Sequence, residues 1–122
     1  TATVWFKADA TTMASMFLGD AGGADPYDNS ADTSAYGEGG WRRMSATVTL
    51  SHADDLWIFL YADKYGANQR AGNHVLFDKL EIRSAQRGLV FSDSFEGSLA
   101  SWSDSGGSPV KTAVQVDPDR IS

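Results

Sequence analysis

Residues 56–61, Leu56-Trp57-Ile58-Phe59-Leu60-Tyr61, form an unbroken apolar and aromatic run, with Asp54 and Asp55 before it and Asp63 after it. Its length suits one strand and is too short for a buried helix. Its β-branched and aromatic content also favours a pleated surface. Side chains alternate across a strand, so Leu56, Ile58 and Leu60 share one face and Trp57, Phe59 and Tyr61 the other. The aliphatic face is shaped for a core. The other face is a row of rings roughly 7 Å apart, the two-residue repeat of a strand. Open to solvent, that row is a stacking platform; covered, it is half of a sandwich core.

The same period recurs along the chain. In residues 1–7, Thr3, Trp5 and Lys7 fall on one face and Val4 and Phe6 on the other. Residues 14–18 form a short apolar run. Residues 19–40 carry Gly22-Gly23, Asp25-Pro26, Asn29-Ser30 and Gly39-Gly40, and read as one long loop. In residues 41–50, Met44, Ala46, Val48 and Leu50 alternate with Arg43, Ser45, Thr47 and Thr49, as in an antiparallel strand wet on one side. Residues 64–73 read as a second polar loop. Residues 75–83 predict a strand with Leu76, Leu80 and Ile82 inward and Phe77, Lys79 and Glu81 on the reverse, which leaves Asp78 on the apolar side. Leu89-Val90-Phe91 is short and strand-like, residues 92–107 are rich in Ser, Asp and Gly, and residues 110–116 alternate once more. Several short strands split by turns imply an all-β fold, an antiparallel sandwich or barrel.

At 122 residues the chain suffices for one domain with a real core and not for two. A formal net charge of −6 argues against a sequence-independent grip on nucleic acid, which needs a basic surface. It argues equally against a polybasic contact with an anionic membrane. No cysteine is present, which excludes disulfides, thiolate metal sites and a cysteine nucleophile. No apolar run approaches a membrane span, and no signal peptide opens the chain. The start at Thr1, almost directly in a strand, reads as a piece excised from something longer.

Four segments follow one another in a recognisable order: Thr3-Val4-Trp5-Phe6-Lys7-Ala8, Trp41-Arg42-Arg43-Met44-Ser45, residues 55–61, and Val75-Leu76-Phe77-Asp78-Lys79-Leu80-Glu81-Ile82. In that order they resemble the second half of a jelly-roll carbohydrate-binding module of the kind appended to xylanases and glucanases. Phe91-Ser92-Asp93-Ser94-Phe95-Glu96-Gly97 and the later Trp102 resemble the beginning of such a module, yet they follow its closing strand. A permuted jelly roll, or a cut across two tandem modules, accounts for that order. The permuted reading is preferred, since a half-module would leave hydrophobic edges open. The resemblance implies a galactose-binding-like β-sandwich spanning residues 1–122.

Sugar rings present apolar C–H patches that lie flat on aromatic side chains. Trp57 and Tyr61 are the leading candidates, with Phe59 between them. Trp5 would flank them if the strands pair, and Trp41 and Arg43 offer a ring beside a donor on a wet face. The competing reading is that the rings fill a second layer. The resemblance also implies a structural calcium held by Asp78 and Glu96, with Asp93 a third ligand; the alternative is that Asp78 pairs with Arg83, Arg87 or backbone N–H groups. The acids at 20, 25, 28, 32 and 38 lack the alternation of a helix-loop-helix calcium site and read as a solvated loop, with Tyr27 and Tyr36 as reachable rings. His52 and His74 lie in polar turns without a nucleophile beside them and read as surface histidines.

The expectation is therefore a non-catalytic, extracellular or cell-surface module that tethers other domains of its parent chain to a polysaccharide. The alternative is a structural or adhesive sandwich of a cell-surface or phage-tail protein with no sugar site. No catalytic constellation is evident, and neither nucleic acid nor membrane is expected as a partner.

Overall fold

The computed structural model describes residues 1–20, 29–50, 56–63 and 73–95. Expectations placed on Tyr27, His52, Glu96, Trp102 and residues 110–116 lie outside them.

Seven strands are found among these residues: β1 (Ala2–Lys7), β2 (Met13–Asp20), β3 (Ser30–Tyr36), β4 (Trp41–Ala46), β5 (Leu56–Ala62), β6 (Leu76–Ser84) and β7 (Gly88–Asp93). They form two antiparallel sheets, one of four strands in the order β4-β1-β6-β7 and one of three in the order β3-β2-β5. The chain changes sheet after β1, β3, β4 and β5, and only β2–β3 and β6–β7 are neighbours both in sequence and in a sheet. The protein is all-β and built as a sandwich.

The inner layer follows from the alternation. Ala2, Val4 and Phe6 of β1, Met44 and Ala46 of β4, and Leu80 and Ile82 of β6 meet Ala14, Met16 and Leu18 of β2 in one buried cluster. Leu56, Ile58 and Leu60 pack against it from β5, as do Ala31 and Ala35 from β3. Burying side chains such as Phe6, Met16, Leu18 and Leu80 stabilises the sandwich by roughly 1.5–3 kcal/mol each.

The two sheets are tied at one end by Arg42. Its neighbours in register are Phe6 and the inner row, but its guanidinium lies 5.6 Å from the Phe6 ring centre and donates to the Tyr36 carbonyl oxygen at 2.6 Å. Tyr36 belongs to the opposite sheet, so one side chain spans the layers. The turn after β1 is fastened nearby: Gly39 N donates to the Ala8 carbonyl and Gly37 N to that of Thr12.

Three sequence expectations are corrected. Residues 19–40 are not one loop, because they contain the end of β2 and all of β3. Among the described residues β3 pairs with β2 alone, and its inward residues, Ala31, Thr33 and Ala35, are too small to announce a core face. β4 stops at Ala46, where the pairing rung Ala2–Ala46 is the last that β1 can offer; beyond it Thr1 Oγ1 meets Thr47 Oγ1 at 2.8 Å. The third correction concerns β6. Its register with β1 slips between Thr3 and Trp5, and Lys79 there has φ +51°. This bulge inserts one extra residue and reverses the parity below it. Phe77 consequently packs against the core, and Asp78 stands in register with Trp5 instead of with the inner row.

Candidate functional site

With Leu56, Ile58 and Leu60 committed to the interior, β5 must turn Trp57, Phe59 and Tyr61 away from it. The register with β2 sets Trp57 beside Gly19, Phe59 beside Phe17 and Tyr61 beside Ser15. The next rung adds Ser30, Asp32 and Ser34 of β3, with Tyr36 opposite Met13 at the end. The outer face of this sheet is thus aromatic along β5 and polar along β3.

The rings form a continuous row. Phe59 and Tyr61 stack with centres 5.9 Å apart and planes 3° from parallel. Trp57 lies 6.1 Å from Phe59, and Phe17 extends the row sideways at 5.8 Å. Trp57 is 49% exposed, whereas Phe59 and Tyr61 are partly covered. Among the described residues no second sheet lies over this row. On the polar side Ser15 and Ser34 share a hydrogen bond of 2.8 Å between their hydroxyl oxygens, which fixes their position beside Tyr61.

The end of the row is held by Asp63, a buried residue with φ +61°. Its Oδ1 accepts from Met13 N at 3.2 Å and its Oδ2 from Asn73 Nδ2 at 2.6 Å. These bonds join the end of β5 to the start of β2 and to the residues preceding β6.

Charge divides cleanly between the sheets. β2, β3 and β5 contain no lysine or arginine. The cations of the described residues, Lys7, Arg42, Arg43, Lys79, Arg83 and Arg87, lie in the other sheet or in its β6–β7 turn. Among the described residues the ring row therefore offers flat carbon surface and hydroxyl groups without a positive charge.

The remaining predicted binding residues do not join it. Trp5, Trp41 and Arg43 lie on β1 and β4, which pair with each other in the four-stranded sheet. Their wet face is therefore the opposite side of the molecule, and Trp5 cannot flank Trp57. There the Arg43 guanidinium lies 5.9 Å from the Trp5 ring centre. The Trp41 Nε1 atom is buried and meets no acceptor among the described residues.

The calcium expectation divides similarly. Asp78 is buried, and its Oδ1 accepts from Lys79 N at 2.9 Å. Asp93 stands in register with Leu80, and its Oδ1 accepts from Phe95 N at 2.8 Å. Calcium takes about six to eight oxygens. Among the described residues no group of three His, Asp or Glu side chains could hold a metal ion, and Glu96 lies outside them. These two carboxyl groups do not make a site by themselves.

Of the loop candidates, Tyr36 stands in register with Met13 at the end of β3, Asp32 lies beside Phe17, and Glu38 is exposed 3.7 Å from Arg42. His74 is exposed. Sequence reasoning missed Phe17, Ser30 and Ser34, and placed Asp32 in a solvated loop rather than on a strand beside the rings. The signal was present in the alternation of Ala31, Thr33 and Ala35 with those residues, hidden by their small size. No family model, curated protein or solved structure matches the chain.

Proposed function

We propose that the chain is a non-catalytic module that binds polysaccharide along β5. The observation that carries this reading is the outward row of Trp57, Phe59 and Tyr61, flanked by hydroxyl groups of β2 and β3. A pyranose stacks its C–H face on such rings, and an extended chain can follow their line. The lack of cations on the strands of this sheet favours a neutral glycan, because an acidic one would find no counter-charge among the described residues of β2, β3 and β5 and would meet Asp32. The jelly-roll topology, the extracellular or cell-surface location and the tethering of further domains belong to the same reading, through the resemblance of the strand motifs. Within it a calcium at Asp78, Asp93 and Glu96 would be a clip for the fold rather than a catalyst.

The test is retention on gels containing neutral polysaccharides. Trp57→Ala abolishes retention and leaves the melting temperature nearly unchanged, because the indole is half exposed. Unaltered retention ends the proposal. A second reading, a structural or adhesive sandwich with no sugar site, draws on a different observation: Leu89, Val90 and Phe91 are each nearly half exposed on β7, an edge strand among the described residues, and such edges invite a covering partner. Self-association of the isolated chain that disappears on Val90→Lys favours that reading.

A further inference from the structure

The face opposite the ring row carries its own arrangement. The β1–β4 register sets Trp41 beside Lys7 and Arg43 beside Trp5. Rings and cations thus alternate in a two-by-two block, with partners about 5 Å apart across the strands and about 7 Å along them. Arg43 is exposed, lies over Trp5 and forms no ion pair among the described residues. The acids of the same sheet do not compete for it. Asp78 is only 3% exposed, and Glu81 is engaged by Arg83 at 2.8 Å.

We infer that this block is a second saccharide site, and that it takes a glycan bearing carboxylate groups, that is, one containing uronic acid. The guanidinium fork matches a carboxylate through two parallel hydrogen bonds. Trp5 carries the guanidinium, and Trp41, two residues along β4 from Arg43, supplies apolar surface for the sugar ring. With its Nε1 buried, Trp41 presents carbon to a ligand. A dense polyanion such as nucleic acid is disfavoured, since it would approach a chain of net charge −6. A uronate chain presents each carboxylate on an apolar sugar ring, which the guanidinium and an indole match together. The site shares no residue with the β5 row and stands whether or not that row binds sugar.

The experiment is affinity electrophoresis of the chain in gels containing polygalacturonate or its fully methyl-esterified form, with a chelator present to exclude bridging by divalent ions. Polygalacturonate slows the wild type and the ester does not. Arg43→Gln weakens the interaction at least about tenfold, the loss expected for one charge-assisted contact. Arg43→Lys restores part of it, and Trp57→Ala leaves it intact. Melting curves confirm that each variant is folded, and Arg43 is exposed enough for its replacement to be tolerated. The inference is overturned if the two polymers slow the chain equally or not at all, or if Arg43→Gln has no effect. Loss of binding in Trp57→Ala also overturns it, by moving the acidic ligand to the other face. Equal slowing by a single-stranded oligonucleotide overturns it as well, because attraction to any polyanion would then suffice. Failure here leaves the neutral-glycan test with Trp57 untouched.

Discussion

Asp63 and Met13 exchange hydrogen bonds in both directions: Asp63 N donates to the Met13 carbonyl at 2.7 Å, and Met13 N donates to Asp63 Oδ1 at 3.2 Å. A single residue thereby closes the end of the β2–β5 pair, and it does so with left-handed backbone that Asp and Asn tolerate better than most side chains. Asp63→Ala loses both side-chain bonds and keeps the strained φ, and should cost roughly 2–3 kcal/mol in urea unfolding. Asp63→Asn keeps the backbone preference and the bond from Met13, and should cost about 1 kcal/mol. Equal losses in the two variants would show that the carboxyl contacts, and not the conformation, account for the effect.

Gly37 sits where no other residue fits. A Cβ added there would lie 1.9 Å from the Ala8 carbonyl oxygen and 2.5 Å from that of Asp9. Both neighbours are backbone, so relief requires the β1–β2 turn to move. Gly37→Ala should destabilise by about 3 kcal/mol or more, read as a fall in the urea midpoint or as loss of folded protein on expression.

Adjacent arginines should respond differently. Arg42 covers Phe6 and bonds to Tyr36 across the layers, so Arg42→Ala strips both contacts and should cost about 2 kcal/mol. Arg43 is exposed on the outer face, so Arg43→Ala should change stability by roughly 0.5 kcal/mol or less. Parallel thermal melts of the two variants make the comparison.

Asp9 gives the fold a pH dependence. Its Oδ1 accepts from the Thr11 hydroxyl, the Thr11 N–H and the Thr12 hydroxyl, and these bonds, the Thr11 hydroxyl first, hold its pKa below the ordinary 3.8. The folded state therefore binds a proton less readily than the unfolded one. The resulting stabilisation is complete above pH 3.8 and is lost as the pH falls through the lower folded value. Asp9→Asn should flatten the acid side of a melting-temperature profile and leave its shape near neutrality unaltered.

The strands β1 and β5 were legible because each sets apolar residues at every second position against polar or aromatic ones, whereas β2 showed only as a short apolar run at 14–18. That Trp57 shares a face with Phe59 and Tyr61, apart from Leu56, Ile58 and Leu60, followed from that pattern, but whether that face was open or covered did not. β3 was not legible. Its inward residues are alanine and threonine, and its Ser, Asp and Asn neighbours carry the composition of a turn, so pairing with β2 overrode local preference. Strand order was equally hidden, because local periodicity says which residues share a face and not which sheet that face belongs to. For this reason Trp5, Trp41 and Arg43 were grouped with Trp57 in the sequence and lie opposite it in the fold.

The parity of β6 failed for a backbone reason. Alternation assumes an unbroken ladder, and Lys79 breaks it with a positive φ more usual for glycine. Lys79 is the surplus member of the rung facing Val4, so the strand on either side would be in step without it. Excising that lysine should therefore straighten β6 while Phe77 stays in the interior and Asp78 stays beside Trp5. Excising Leu80 instead would leave a lysine to fill an aliphatic slot. The insertion works as a frameshift written into the backbone, and it lets one strand satisfy two incompatible patterns.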